Sequence, residues 1–455
     1  MKTYTDIKKH SVTLGLSLLL LCLGQNNARA LTLPDVPLSV FSTVEHNVLL
    51  TFDDSGSMAW GYMPDTISGN SGTRRACSST FNGMAYNPAL TYTPPPVRTS
   101  PGNSSSIPSN LADSDFNNAW RNGFLVGPAV NLSLNYVPTW AMTISTASTI
   151  TAASCSVSTA GVPAFYFVYD ATIGGCSPQT ATTENNDACY RLVQYSTAPY
   201  NPVTGNGTWP AAQRTNFANW YSYYRVRNLA AKSAAGRAFR SFDNNVRVAG
   251  QHLNNTTAGA GATITFTNSA TVGATNMMKR FCDDPTNSDS LCRNGVIYRT
   301  EFFNRLYNSP ASGGTPLRRA MQRAGNHFSL GATDQFSPYR EVPGDPIGPA
   351  NPELSCRKNF HIMMTDGYWN SDTATVANTD GSSRTLGDGT TTYSPIAPYS
   401  DAWSGTLADH AFDYWARDLR TDLANNVSHA INVGTGDPSN PWDTANLPWD
   451  HRNNP

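Results

Sequence analysis

Asn-Val-Leu-Leu-Thr-Phe-Asp-Asp-Ser-Gly-Ser-Met, residues 47–58, runs from an apolar strand straight into a D-x-S-x-S turn. Asp53, Ser55 and Ser57 stand at alternate positions, so their short side chains bring oxygens toward one small volume. Oxygen ligands of this kind suit Mg²⁺, Mn²⁺ or Ca²⁺; zinc prefers cysteine sulfur and histidine nitrogen. A turn that merely closes a strand with Asx and Ser hydrogen bonds would have the same local sequence. The motif therefore gains weight only from its company.

Two other segments keep it company. Ser-Gly-Gly-Thr-Pro-Leu at 312–317 reads as a helix start, with Thr315 at the N-cap and Pro316 at the first helical position, followed by a helical run over 317–324. Asn-Phe-His-Ile-Met-Met-Thr-Asp-Gly at 359–367 reads as a second buried strand ending in an acidic turn. A central parallel strand whose C-terminal end carries ligands has this form. The order strand plus D-x-S-x-S, Gly-Gly-Thr-Pro helix, strand plus Thr-Asp-Gly resembles the von Willebrand factor type A domain and its metal-ion-dependent adhesion site. The resemblance implies an α/β, Rossmann-like fold with a mostly parallel sheet flanked by helices. It also implies that Asp53, Ser55, Ser57, Thr315 and Asp366 hold one divalent cation, Mg²⁺ first and Mn²⁺ or Ca²⁺ as alternatives, partly through water. Asp54 is expected to face away and orient the turn.

The 59–212 stretch is rich in Tyr, Thr, Ser, Pro, Gly and Asn, with short β-like runs at 164–169 and 191–195. It reads as a β-rich, loop-rich insertion, leaving 31–58 and 213–435 to the type A-like domain and 436–455 to an irregular tail. The clearest helix is expected over 216–242. Phe217, Trp220, Tyr224, Ala231, Ala235, Ala238 and Phe242 form its apolar stripe, and Arg225, Arg227, Lys232 and Arg237 lie largely off it. A strand is expected at 245–250, a loop or edge hairpin at 254–275, and a solvated polar loop at 370–405 without EF-hand spacing. Thr406 to Asp409 reads as a capping box opening a helix that runs to about 423. In the tail, Trp442 and Trp449 read as anchors for irregular chain.

Composition narrows the partners. Of 455 residues only 14% are charged, and the net charge is −1. Clustered Lys and Arg are missing, so a nucleic-acid partner is not expected. Lys2, Lys8 and Lys9 precede an apolar run at 12–23, and Ala-Arg-Ala at 28–30 offers a cleavage site, so 1–30 reads as a secretory signal peptide. A lipoprotein signal at Cys22 fits less well, because Leu21 stands where a small residue belongs. No transmembrane segment is expected after cleavage.

Seven cysteines remain: Cys77, Cys155, Cys176, Cys189, Cys282, Cys292 and Cys356. They lack C-x-x-C spacing, which argues against a zinc cluster. Cys282 with Cys292 is the easiest pair, and two of Cys155, Cys176 and Cys189 could bridge. The odd count leaves one thiol free or paired elsewhere. Nor is an enzyme expected: Ser57 lacks the G-x-S-x-G elbow, and no His sits in a catalytic or zinc motif.

Flanking segments sharpen the family. Trp220-Tyr221-Ser222-Tyr223-Tyr224-Arg225-Val226-Arg227, then Ala-Ala-Lys-Ser-Ala-Ala at 230–235, resembles the N-terminal region of PilY-type adhesins and biogenesis factors of type IV pili. So do Asn87-Pro88 to Tyr92, Pro94-Pro95-Pro96, 407–409 and 418–427. The resemblance implies a pilus-associated adhesin or assembly factor supporting pilus biogenesis, surface attachment and twitching motility. Its expected partners are minor pilins at the pilus tip and a host or abiotic surface ligand offering a carboxylate. Its expected location is the periplasm or outer membrane, the cell surface or the pilus tip. A pilus-priming or secreted scaffold role with a vestigial metal site is the alternative. The resemblance also implies a C-terminal β-propeller with its own calcium site, which does not follow within these 455 residues; either the chain is a fragment of a longer protein or those strands are missing, and only 429–433 could supply a further strand of the type A sheet.

Overall fold

The computed structural model describes residues 44–95, 111–125, 127–138, 155, 161–242, 245–254, 264, 266, 278–282, 298–370, 372–387, 389, 392–397, 400–424 and 427. The expected signal peptide, most of the 254–275 stretch, Cys292, the possible strand at 429–433 and the tail tryptophans lie outside these residues.

Strand β1, His46–Phe52, is buried along its whole length. It pairs in parallel with β6, Val246–His252, on one side and with β8, Asn359–Met364, on the other. The short β7, Lys279–Arg280, adds antiparallel to β6, giving the order β7-β6-β1-β8. Successive side chains of a strand point to opposite faces, and β1 uses both. Val48, Leu50 and Phe52 pack with Leu229 and Phe239 of α3 (Arg227–Arg240) and with Phe302 and Leu306 of α4 (Tyr298–Tyr307). Leu49 faces the other way, onto Ala249, Ala324 and Phe328, the last two from α5 (Leu317–Phe328). A strand apolar on both faces needs helices on both, so the continuous run at 48–52 dictates a three-layer α/β arrangement around it.

The strand at 359–364 departs from the expectation of a buried central one. Among the described residues β8 ends the sheet order, and Ile362 is 43% exposed. Among the described residues the strand has one hydrogen-bonded neighbour, and its residues are partly rather than fully buried.

A second core is built largely of aromatic rings. β4 (Phe165–Tyr169) pairs antiparallel with β5 (Tyr190–Gln194), the one-turn helix α1 (Ala181–Glu184) lying between them in the chain, while β2 (Ala119–Trp120) pairs with β3 (Ala129–Val130). Phe165, Phe167, Tyr136, Trp209 and Tyr86 surround Phe217, Trp220 and Tyr221 of α2 (Ala211–Tyr223). Disulfides Cys77–Cys155 and Cys176–Cys189 lie in the same cluster. Cys282 is also disulfide-bonded, and Cys356 is the free thiol among the described residues.

The single helix expected over 216–242 is two. α2 ends at Tyr223, Val226 is extended (φ −130°, ψ 156°), and α3 begins at Arg227. No Pro or Gly forces the break. The carbonyl of Trp60 receives the Arg227 N–H (3.1 Å), satisfying a donor that a new helix start leaves open. The break lets α2 serve the aromatic core while α3 serves the sheet. It also overturns the placing of the charges, since Arg225, Arg227 and Lys232 are all buried.

Two further boundaries differ. The 407–423 helix stops at Ala416 as α6 (Leu407–Ala416), although its capping box between Thr406 and Asp409 forms as expected. Beyond it, the Arg420 guanidinium is drawn to Glu353 and Asp422, which fixes the chain in a non-helical path. The 370–405 loop is not simply solvated: the Asp372 carboxylate accepts the N–H groups of Arg318 (2.7 Å) and Arg319 (3.1 Å), capping α5 from a distant point in the chain. Among the described residues no helix is long and apolar enough to cross a membrane.

Candidate metal centre

Parallel pairing of β1 and β8 with Phe52 opposite Met364 carries the two acidic turns to the same sheet end. Asp53 is fully buried, and its N–H donates to the Met364 carbonyl (3.0 Å). Its carboxylate accepts the Ser55 N–H on one oxygen (2.7 Å) and the Thr365 hydroxyl on the other (2.8 Å). Burial pushes the Asp53 carboxyl above the usual carboxylate range, against the hydrogen bonds from Ser55 and Thr365 that favour its charge. The Ser55 and Ser57 hydroxyls share a 3.0 Å hydrogen bond, and Ser57 donates to Asp366 Oδ1 (3.0 Å). Four of the five expected residues therefore meet through side-chain contacts or a bond across the turn.

The facing loop approaches the turn through Gly313, and Thr315 is tied to Asn370 rather than to the other four. The Gly56 N–H donates to the Gly313 carbonyl (3.0 Å), and Thr315 exchanges hydrogen bonds with Asn370: its N–H to Asn370 Oδ1 (2.9 Å) and the Asn370 N–H to its carbonyl (3.0 Å). Gly313 has φ +103°, a region that an L side chain rarely adopts, and Asn254 fills the space its Cβ would take. The expected cap is displaced by one residue. Pro316 is the N-cap and α5 begins at Leu317, a shift within the ordinary spread of helix ends. Asp54 turns away from the cluster, accepting the N–H (3.0 Å) and side-chain amide (3.1 Å) of Asn254. Burial raises its carboxyl too.

Sequence reasoning missed the group with the strongest electrostatic hold on this site. The Arg227 side chain is 2% exposed and pairs with Asp366 Oδ2 at 2.7 Å. Its other nitrogens reach the Tyr62 carbonyl (2.8 Å) and Asp65, and the guanidinium lies 5.1 Å and 5.2 Å from the ring centres of Trp60 and Tyr62. Asp366 is thus held from both sides, by the Ser57 hydroxyl on Oδ1 and by Arg227 on Oδ2. Thr365, Asn370 and Asn254 were also missed as buttresses. Thr365 had a local signal, standing beside Asp366 at the strand end; Arg227 had none, because a charged residue on a helix pattern reads as solvated.

The donor set consists of carboxylate and hydroxyl oxygens, which fits a hard divalent cation. Among the described residues no group of three or more His, Cys, Asp or Glu side chains could hold a metal. A cation here would therefore depend on hydroxyls as much as on carboxylates.

No family model matches the chain, and no solved structure matches it. It is 37% identical over 453 residues to the type IV pilus biogenesis factor PilY1 of Pseudomonas aeruginosa strain PAK, an alignment covering 98% of this chain and 35% of the relative. Against the same factor from strain UCBPP-PA14 the identity is 37% over 428 residues, covering 94% and 31%. The chain spans about a third of the length of the curated relatives it matches. Along almost its whole length, then, the chain is similar to about a third of the type IV pilus biogenesis factor PilY1.

Proposed function

We propose that this chain is the metal-dependent binding region of a type IV pilus-associated protein, with a von Willebrand factor type A fold holding one divalent cation through Asp53, Ser55, Ser57, Thr315 and Asp366. The observation that carries the reading is the hydrogen-bonded run Ser55–Ser57–Asp366, with Asp53 bonded to the N–H of Ser55 at its base. Four oxygen-bearing side chains from two turns far apart in sequence would have little reason to converge merely to close two strands.

A bound Mg²⁺, Mn²⁺ or Ca²⁺ supplies an electron-poor position to which an acidic group of a partner can bind. The chain's own residues set how electron-poor. Ser55, Ser57 and Thr315 offer neutral oxygens, leaving Asp53 and Asp366 as the only carboxylates, and the Arg227 guanidinium offsets part of that charge. Thr365 and the Ser55 N–H hold the Asp53 oxygens in place. The reaction class is ligand capture without bond breaking. The partners that suit it are a surface ligand bearing a carboxylate and the minor pilins at the pilus tip, reached after export.

Calorimetry with Mg²⁺, Mn²⁺ and Ca²⁺ on the mature chain, beside Asp53→Ala and Thr315→Ala, tests the site. Binding by the unmodified chain that is lost in both variants supports it; no binding in the unmodified chain removes it. In cells, the reading expects Asp53→Ala to lose attachment while pili persist.

A second reading, a scaffold that primes pilus assembly with a vestigial metal site, has its own support. The Arg227–Asp366 pair satisfies the Asp366 carboxylate with the chain's own charge. On that reading deletion of the chain loses pili, and Asp53→Ala changes nothing.

A further inference from the structure

Arg225 stands at the break between α2 and α3 and is 7% exposed. Its guanidinium lies 4.3 Å from the Tyr221 ring centre, and Nη1 donates to the Tyr221 carbonyl at the end of α2. Among the described residues Nε has no hydrogen-bond partner. The groups acting on its charge are the Tyr221 and Tyr136 hydroxyls and Arg121, a second cation. No carboxylate pairs with it among the described residues, in contrast to Arg227 two positions on. Sequence offers no nearby relief: Asp or Glu is absent from 66–112 and from 116–169, the stretches that supply most of the surrounding wall.

A guanidinium does not shed its proton in a protein, so burial cannot be relieved by neutralisation. A buried charge without a counter-charge is strongly unfavourable. The α2 C-terminus contributes a partial negative charge, but the N-terminus of α3 begins two residues later with the opposite sign. Beside Arg225 lies a pocket of about 20 Å³, lined also by Cys77, Asn82, Tyr86, Tyr136 and Cys155. Its polar wall is occupied: Asn82 donates to the Gly61 and Ala76 carbonyls and accepts from the Met63 and Met84 N–H groups. The Trp220 indole donates to the Met84 carbonyl.

We propose that this pocket binds a small monovalent anion of the chloride class, with the Arg225 guanidinium as its counter-charge and the Tyr136 hydroxyl as a further donor. The volume suits one particle near the size of a water molecule, which a halide is and a phosphate is not. Water could accept from Nε but would leave the charge uncompensated. Burial keeps the Tyr136 hydroxyl protonated far above the usual range, so it remains a donor. The anion would tie α2 to the wall carrying the Cys77–Cys155 disulfide, and it is independent of the metal centre.

The test compares thermal unfolding of the whole mature chain in sodium chloride and in sodium gluconate at equal ionic strength, and locates bromide by anomalous scattering in crystals. The expected result is a midpoint about 2 °C higher in chloride, with bromide within hydrogen-bonding distance of the Arg225 guanidinium. Arg225→Met should lose the chloride dependence and keep the divalent-cation behaviour of the unmodified chain. Should that variant fail to fold, the bromide position in the unmodified chain decides. Equal midpoints, a chloride effect that persists in Arg225→Met, or water alone beside Arg225 would each overturn the proposal.

Discussion

Replacing Arg227 by Met keeps an apolar stem of similar reach and removes the charge that holds Asp366. The Arg227 side chain is 2% exposed and the Asp366 side chain 6%, so the pair lies out of water. Removing one partner of such a pair typically costs about 3–5 kcal/mol, because the other charge stays buried. Here Ser57 remains bonded to Asp366 Oδ1, which places the expectation at the lower end, about 3 kcal/mol. The same substitution should tighten divalent-cation binding. A fixed positive charge bonded to Asp366 opposes a dication by about 1 kcal/mol or more even at high dielectric, roughly a fivefold or larger change in Kd. The assay is urea unfolding with EDTA and with saturating Mg²⁺, beside calorimetric titration. In Arg227→Met the stability deficit should be largest with EDTA and shrink with Mg²⁺. Arg227→Lys, which keeps the charge but loses the fork to Asp65 and Tyr62, should fall between. A variant as stable as the unmodified chain, with unchanged cation affinity, would refute the electrostatic role given to Arg227.

Three other substitutions probe separate links. Asp53→Asn removes a carboxylate whose ionisation is opposed by burial; since its folded pKa is raised, the charge costs stability as pH rises, and the variant should be the more stable of the two at pH 7 in EDTA while losing cation binding. Calorimetry and unfolding on the same sample check both halves. Gly325→Ala should cost about 1–3 kcal/mol, because its new Cβ would lie 2.1 Å from the Tyr414 ring and push α6 off α5; a shift below about 0.5 kcal/mol would show that the ring moves freely. The half-buried His361, 2.7 Å from the Thr51 hydroxyl, has its pKa pushed down to about 4 by burial. Its neutral form is favoured on folding, so its contribution is complete above about pH 6.5 and is lost as pH falls toward 4, about 1–2 kcal/mol between pH 7 and 5. His361→Gln should flatten that part of the pH–stability curve, and an unchanged curve would remove His361 as its source.

Features carried by neighbouring residues are legible in the amino-acid order itself. The run at 47–52 reads as an apolar strand from its composition alone, and alternate spacing in D-x-S-x-S puts three short oxygen-bearing side chains close together in the turn that follows. The capping box at Thr406 and Asp409 follows from a three-residue spacing, and it forms. Even the meeting of Asp53 with Asp366 was foreseeable, because two parallel strands ending in acidic turns place those turns at one sheet edge, although only the first of the two is buried throughout. What neighbouring residues do not encode is which distant surface a side chain will face. The helix pattern at 216–242 continues through Tyr224 and Val226, yet the chain breaks there because its two halves pack into different cores. That break turns Arg225 toward the aromatic pocket and Arg227 toward Asp366, while the sequence pattern placed both largely off the apolar stripe. The Cys77–Cys155 bridge spans 78 positions, and Asp372 caps a helix that begins more than fifty residues earlier. Sequence alone determined the strands, the turns and the chemistry of their oxygens. Tertiary packing decided which buried charges meet, because burial and pairing depend on contacts between residues that no local period relates.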